Sequence, residues 1–152
     1  MKIVAYQPKY AQAFYDLNVE WLETFFYVED FDREVLSNPE HYILAPGGYI
    51  FFAVEGETVL GTFALLKRGE SAFELTKMAV LPQARGKKIG HELLQHCIDF
   101  AREQTFDRLF LYSNTKLENA IYLYRKFGFE EVPQEADVPY ERSNIKMVFP
   151  LS

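Results

Sequence analysis

Residues 80–90 read VLPQARGKKIG, and they connect an apolar stretch to a segment with helical periodicity. Gly86 and Gly90 lie here among three cations, Arg85, Lys87 and Lys88. The first turn of a helix offers unpaired backbone N–H groups, and glycine lets a ligand approach the backbone closely. The segment therefore predicts a phosphate or pyrophosphate site, although its spacing fits neither a Walker loop nor a dinucleotide-binding loop.

The hydrophobic pattern predicts a single α/β domain over residues 1–152, with a mixed sheet and helices on its faces. Before the glycine segment, apolar runs bounded by turn residues predict a three-stranded antiparallel meander. After it, helical and strand patterns alternate. The predicted strands are residues 2–6, 49–54, 59–66, 72–80, 109–112, 129–132 and 145–151. The predicted helices are residues 8–25, with Pro8 in the first turn, and residues 30–36, 88–101 and 117–127, the last of them ended by Gly128.

A second motif follows at residues 119–129, which read NAIYLYRKFGF. Together the two segments resemble the signatures of the Gcn5-related N-acetyltransferase (GNAT) family. The first matches the pattern [QR]-x-x-G-x-[GA] with Arg85 and Gly90 at its ends, but Lys88 stands where the middle glycine is usual. The second matches A-x-x-x-Y-x-x-x-G-F. Two motifs in this order and at this separation identify the chain as a member of the family.

The resemblance implies the GNAT acyl-CoA N-acyltransferase fold, in which the two central strands of the sheet splay apart. The pantetheine arm of acetyl-CoA, the cosubstrate, would enter this gap and pair with the backbone of Met78, Ala79 and Val80. The N–H of Val80 or of a neighbour would stabilise the oxyanion. The residues expected to hold the pyrophosphate are Arg85, Gly86, Lys87, Lys88, Ile89 and Gly90. Leu117 replaces an asparagine that is usual in the second motif, so Asn114 or Asn119 is expected to take its place.

Two residues are predicted to be catalytic. Tyr124 matches the tyrosine that serves several family members as general acid, and a phenol with a pKa of about 10 is protonated at neutral pH. Tyr122 is the rival for this role, and packing in the core is the alternative role for Tyr124. Glu74 matches the glutamate base of histone-acetylating relatives. Its alternative roles are to pair with a lysine or to bind the ammonium of the substrate, and water serves as base in many family members. Strand alternation places Glu74, Thr76, Met78 and Val80 on one face.

The acceptor region combines carboxylates with aromatic rings. Residues 16–40 contain eight carboxylates and one arginine, interleaved with aromatic residues such as Trp21 and Phe25. This composition favours a cationic amine with an apolar body. Arg142 is also placed to bind a carboxylate, which would indicate an amino acid or peptide. A small-molecule or peptide amine is the first expectation, and a protein N-terminus or lysine is the second.

Composition excludes several other classes of function. The net charge of −6 argues against nucleic-acid binding. Cys97 is the only cysteine and is expected in the core, and the three histidines show no metal-ligand spacing. No apolar run is long enough for a membrane span, and the first residues lack a signal-peptide pattern, so a cytoplasmic protein is expected. A homodimer is compatible with the aromatic content. A CoA-binding sensor without turnover and a plain scaffold domain are the competing functions.

Overall fold

A seven-stranded sheet with the order β1-β2-β3-β4-β5-β7-β6 forms the centre of the protein. The computed structural model describes residues 1–151. The strands are β1 Lys2–Ala5, β2 Tyr49–Glu55, β3 Thr58–Lys67, β4 Ala72–Val80, β5 Arg108–Ser113, β6 Glu130–Val132 and β7 Ile145–Phe149. The helices are α1 Ala11–Phe25, α2 Asp30–Ser37, α3 Ile89–Glu103 and α4 Glu118–Phe127. None of the helices within residues 1–151 is long and apolar enough to cross a membrane.

The sheet is covered by helices on both faces, as predicted. Because side chains alternate along a strand, adjacent residues of β2 enter different cores. Phe51 belongs to the cluster that includes Leu93 and Leu94 of α3, against which α4 also packs. Phe52 belongs to the cluster that includes Phe14 of α1 and Leu36 of α2. The predicted mixed α/β sheet is confirmed, and most observed element boundaries lie within two residues of the predicted ones.

One short element has no counterpart among the predictions. Residues Glu40–Leu44 form a π-helical turn between α2 and β2, closed by a hydrogen bond of 2.8 Å from the Ala45 N–H to the Glu40 carbonyl. A single turn of this kind has no sequence periodicity of its own, because it is too short to present a repeating apolar face.

Strand β4 contains a bulge that changes which residues share a face. Thr62 pairs with Ala79 and Ala64 pairs with Thr76, so β4 has one residue more than β3 between these pairs. Lys77 accommodates the extra length with a φ of 56°, in the left-handed region that non-glycine residues rarely adopt. The bulge reverses the alternation in the second half of the strand.

The expected common face of Glu74, Thr76, Met78 and Val80 is therefore wrong. Met78 and Val80 pack against the same core cluster as Phe73 and Leu75, on the side of α3 and α4. Glu74 lies on the opposite face, because strict alternation holds only up to the bulge.

Strands β4 and β5 are paired over only part of their length. The parallel ladder joins Ala72–Leu75 to Arg108–Leu111 and ends there. Beyond it, β5 continues to pair with β7 as far as Ser113 and Ile145, while β4 continues to pair with β3 as far as Val80. The second half of β4 therefore has no partner on the β5 side, which is the central splay that the fold prediction requires.

We expect Gly48→Ala to destabilise the protein strongly. A Cβ at this position would lie 2.4 Å from the Leu65 carbonyl oxygen and 2.6 Å from the Ile43 carbonyl oxygen. Because backbone atoms of two elements would have to separate, the free energy of unfolding should fall by about 3 kcal/mol, measured by urea titration. Gly69→Ala is the control, since its Cβ would meet only the Ala72 Cβ at 3.4 Å. Equal losses in the two variants would contradict the predicted clash.

Candidate active site

A cavity of about 290 Å³ occupies the gap between the separated halves of β4 and β5. Its floor is formed by the second half of β4 and the end of β5, and one wall is formed by α4. The opposite wall is formed by α1, α2 and the segment that precedes β7. The cavity thus connects the α3–α4 side of the sheet with the α1–α2 side. Its size and mixed lining are typical of a small-molecule site.

The unpaired edge of β4 is exposed to this cavity. Met78, Ala79 and Val80 all line it, and no β5 residue forms a ladder with them. Backbone groups on this edge are free to hydrogen-bond an extended ligand, as an added strand would. The structure therefore brings together the three residues that the sequence predicted for pantetheine.

The glycine segment forms a loop at the N-terminus of α3. Gly86 has a φ of 85°, and Lys88, the N-cap of α3, has a φ of 64°. Lys88 therefore adopts the left-handed conformation that the usual glycine would adopt without strain. The loop therefore has a positive φ at two of the six positions where the pyrophosphate is expected. Among the predicted pyrophosphate residues, Ile89 is 6% exposed and packs in the core, so only its backbone is available to a ligand.

Arg85 reaches from this loop to α1. Its guanidinium donates a hydrogen bond of 2.6 Å to the Glu20 carboxylate and lies 5.7 Å from the centre of the Phe25 ring. Arg85 also lines the cavity. The side chain predicted to bind pyrophosphate is therefore paired with an acidic residue of the acceptor region, and an anionic ligand would have to compete with Glu20 for it.

Tyr124 lies on the wall that α4 contributes to the cavity. Burial raises the pKa of Tyr124 to about 12, so the phenol stays protonated over the physiological range. Its hydroxyl forms no hydrogen bond with any other side chain or backbone group of residues 1–151. Tyr122 is 69% exposed and does not line the cavity. Of the two tyrosines considered from the sequence, Tyr124 is the one placed to donate a proton there.

Glu74 is buried beside the cavity rather than in its wall. The side chain is 1% exposed, and its carboxylate accepts hydrogen bonds from Arg68 at 2.8 Å and from the Tyr140 hydroxyl at 2.7 Å. Tyr140 does line the cavity. Burial, followed by the charge of Glu74, raises the pKa of Tyr140. Tyr140 therefore connects Glu74 to the cavity by a hydrogen bond, a role for which the sequence did not single it out.

The two asparagines considered for the second motif occupy different environments. Asn114 lines the cavity, but its amide donates to the Arg142 carbonyl at 2.8 Å and accepts from the Lys116 N–H at 2.9 Å. Its side chain therefore organises the turn after β5. Asn119 is exposed on α4 and lies outside the cavity lining. Only Asn114 is brought to the candidate site.

The acceptor side of the cavity has an aromatic wall and paired charges. Trp21, Phe25 and Phe26 of the α1 region line it. Arg142 binds Asp32 at 3.0 Å and Glu29 at 3.3 Å. Arg142 was predicted to bind a carboxylate of the acceptor, but its guanidinium is already bound to two carboxylates of the protein. The same pairing removes Asp32 from the carboxylates expected to attract a cationic amine.

The lysine at the bulge was not predicted as part of the site. Lys77 lines the cavity and is partly buried. Strand alternation alone would have placed its side chain on the face of Phe73 and Leu75, in the α3–α4 core. The available signal was a lysine inside a central strand of the sheet, because a charge at such a position needs either a partner or a cavity.

Comparison with known families agrees with the geometry of this site. Residues 11–129 match the model of the Acetyltransferase (GNAT) family. The chain belongs to this family. The resemblance predicted from the two motifs is thereby confirmed.

Characterised and uncharacterised relatives are similar in sequence to about two thirds of this chain. An uncharacterized N-acetyltransferase of Escherichia coli, YjgM, is 38% identical over 101 residues, which are 65% of this chain and 57% of the relative. The N-alpha-acetyltransferase RimI of Mycobacterium tuberculosis is 31% identical over 102 residues, 67% of this chain and 60% of that protein. The chain therefore spans somewhat over half the length of these relatives. The predicted enzyme class, an acyltransferase, agrees with both names.

Solved structures match the whole fold. An acetyltransferase of the GNAT family from Staphylococcus aureus is 25% identical, with a TM-score of 0.87 and 99% of both chains covered. An acetyltransferase from Streptococcus agalactiae is also 25% identical, with a TM-score of 0.83, covering 97% of this chain and 96% of that one. The predicted fold class is confirmed by both.

We expect Gly90→Val to weaken acetyl-CoA binding without destabilising the protein. A Cβ at Gly90 would meet only the Leu123 Cδ2 at 3.8 Å, an ordinary contact, whereas a branched side chain would obstruct a ligand that approaches the α3 N-terminus. Affinity measured by titration calorimetry should fall by at least about tenfold, or 1.4 kcal/mol. Gly69→Ala should leave it unchanged. Normal affinity in Gly90→Val would remove this loop from the cofactor site.

Proposed function

We propose that this GNAT protein transfers the acetyl group of acetyl-CoA to the primary amine of a small molecule or peptide, by direct attack within a ternary complex. The observation that carries the proposal is the position of Tyr124. Tyr124 lines the same cavity as the unpaired edge of β4, and its hydroxyl has no hydrogen-bond partner within residues 1–151. A proton donor and a binding edge for an extended thioester arm therefore meet in one place.

The cofactor would be held by two parts of the chain. The backbone of Met78, Ala79 and Val80 would pair with the pantetheine arm, and the loop from Arg85 to Gly90 would hold the pyrophosphate with its N–H groups. Arg85 would exchange Glu20 for a phosphate oxygen. An N–H at the end of β4, that of Val80 or a neighbour, would stabilise the negative charge that develops on the thioester oxygen.

The transfer balances with the groups that the site supplies. The neutral amine forms a C–N bond with the acetyl carbon, and the C–S bond of the thioester breaks. Tyr124 donates its proton to the departing thiolate, so the products are an N-acetylated amine and free CoA thiol. The amine must in turn lose one proton, and the Tyr124 phenolate must regain one.

Glu74 and Tyr140 offer a route for the proton that leaves the amine. The Tyr140 hydroxyl can accept this proton from the cavity while it passes its own to Glu74, to which it already donates at 2.7 Å. In this proposal Glu74 is the base and Tyr140 connects it to the acceptor. Water at the cavity mouth is the alternative base.

Acetylation of a protein N-terminus is the second candidate function. It is favoured by the relative named N-alpha-acetyltransferase RimI, which is 31% identical over 67% of this chain. A CoA-binding sensor without turnover would bind the cofactor but release no thiol. A scaffold domain would do neither. The test is therefore calorimetric titration with acetyl-CoA, followed by thiol release with small amines, amino acids and short peptides.

Tyr124→Phe should separate chemistry from binding. Loss of the proton donor should lower kcat for thiol release by about 100-fold, while the Kd for acetyl-CoA stays within a few-fold of wild type, because the ring is retained. Tyr122→Phe is the matched control and should be fully active, since Tyr122 is exposed. Full activity of Tyr124→Phe would leave this residue only a packing role in the α3–α4 core.

Tyr140→Phe and Glu74→Gln test the proton route. Both should lower kcat by about 10- to 100-fold, because each interrupts the path between the cavity and the carboxylate. Thermal melting and acetyl-CoA titration of both variants would show that the fold and the cofactor site are intact. Wild-type kcat in folded Tyr140→Phe would assign the proton to water and leave Glu74 a structural partner of Arg68.

A further inference from the structure

The bulge in β4 places a lysine at the point where the two central strands separate. The β4–β5 ladder ends at Leu75. Lys77 lies two residues further along β4 and has a φ of 56°. It lines the same cavity as Tyr124, Tyr140 and the aromatic wall. The Asp32 carboxylate, on the acceptor wall of the cavity, acts on the Lys77 ammonium electrostatically. The side chain of Lys77 therefore lies on the acceptor side that the proposed function requires.

The two carboxylates that act on the Lys77 ammonium are each bound to an arginine. Glu74 and Asp32 are the carboxylates that act on it electrostatically. Glu74 is held by Arg68 at 2.8 Å, and Asp32 is held by Arg142 at 3.0 Å. Within residues 1–151, Lys77 forms neither an ion pair nor a side-chain hydrogen bond.

Burial makes this unpaired charge unfavourable. Desolvation lowers the pKa of Lys77, while the charges of Glu74 and Asp32 oppose the shift and those of Arg142 and Arg68 reinforce it. A buried ammonium without a partner destabilises the charged form of the protein. A ligand that brings a negative charge into the cavity would remove this penalty, since it would supply the missing partner.

We propose that Lys77 binds a carboxylate of the acceptor, so that the acceptor class is an amino carboxylate with an apolar body, such as a free amino acid with an aromatic or aliphatic side chain. This inference rests on the proposed function. The apolar body would pack on Trp21, Phe25 and Phe26, and the amine would lie between Tyr140 and the thioester. The sequence predicted that Arg142 would bind the acceptor carboxylate. We assign this binding to Lys77 instead, because Arg142 is already bound by Asp32 and Glu29.

The first test uses N-acetylated amino acids, which are the expected reaction products, and their amides. The acid and the amide of each pair differ in one charge, and neither contains a free amine that could titrate. N-acetyl-L-phenylalanine and N-acetyl-L-phenylalaninamide are titrated into the protein saturated with CoA. The wild type should bind the acid at least about tenfold more tightly than the amide. N-acetyl-L-leucine and its amide form a second pair, which covers a preference for an aliphatic side chain.

Three variants assign this preference to Lys77. Lys77→Met should bind acid and amide equally, since it keeps the length of the side chain and removes its charge. Lys77→Arg should restore a preference for the acid, because it restores the cation. Lys67→Met, at the exposed end of β3, is the matched control and should behave as wild type. Normal acetyl-CoA affinity in Lys77→Met would show that the fold and the cofactor site are unaffected.

The outcomes separate this inference from the proposed function. If acetyl-CoA binds and amines release thiol, but acid and amide bind equally, the proposed function stands and the carboxylate site is overturned. The carboxylate site is also overturned if Lys77→Met still binds the acid more tightly than the amide, or if neither N-acetyl-L-phenylalanine nor N-acetyl-L-leucine binds. Spermidine is tested as a third acceptor in thiol release. Faster turnover of spermidine by Lys77→Met than by wild type would show that Lys77 disfavours cationic acceptors. If the wild type also acetylates spermidine faster than it acetylates the amino acids, the proposed amino carboxylate class is overturned.

Discussion

The separation of β4 from β5 is the constraint on which the site depends. The two strands share a ladder only as far as Leu75 and Leu111, and each then follows its other neighbour. Unpaired backbone groups are unfavourable unless a ligand or water satisfies them. The unpaired edge of β4 therefore destabilises the empty protein, and a ligand that hydrogen-bonds to this edge would remove that penalty. The cavity, the binding edge and the position of Tyr124 all follow from it.

Ion pairing determines which charges in the cavity remain available. Three arginines near the site each hold a carboxylate: Arg68 holds Glu74, Arg85 holds Glu20, and Arg142 holds Asp32. Since a charge removed from water needs a partner, these pairs account for most of the acidic and basic residues around the cavity. Among the cations that line the cavity, Lys77 is the one that forms no ion pair within residues 1–151.

Much of the fold was predictable because its signals are local. Apolar periodicity located the helices and strands, and Gly128, with a φ of 109°, ends α4 as its position after Phe127 predicted. The order of the two motifs then predicted the family. The same local reasoning failed within β4, since it assumed unbroken alternation through Lys77, and a bulge of one residue moved Met78 and Val80 to the other face. It also assigned the general acid to Tyr124, with Tyr122 as the rival, before the position of either side chain was known.

The sequence by itself determined the family and the order of the elements, and it predicted an anion-binding loop at α3 and Tyr124 as the proton donor. These features are encoded in short segments whose backbone preferences and spacing are readable without the rest of the chain. The tertiary structure alone decided that Glu74 reaches the cavity through Tyr140, that Arg142 is occupied, and that Lys77 is not. Asp32 and Arg142 are 110 positions apart in the chain, so their pairing arises only when the folded sheet brings α2 and the segment before β7 together. No local pattern records such a contact, and the charge that remains for a ligand depends on it.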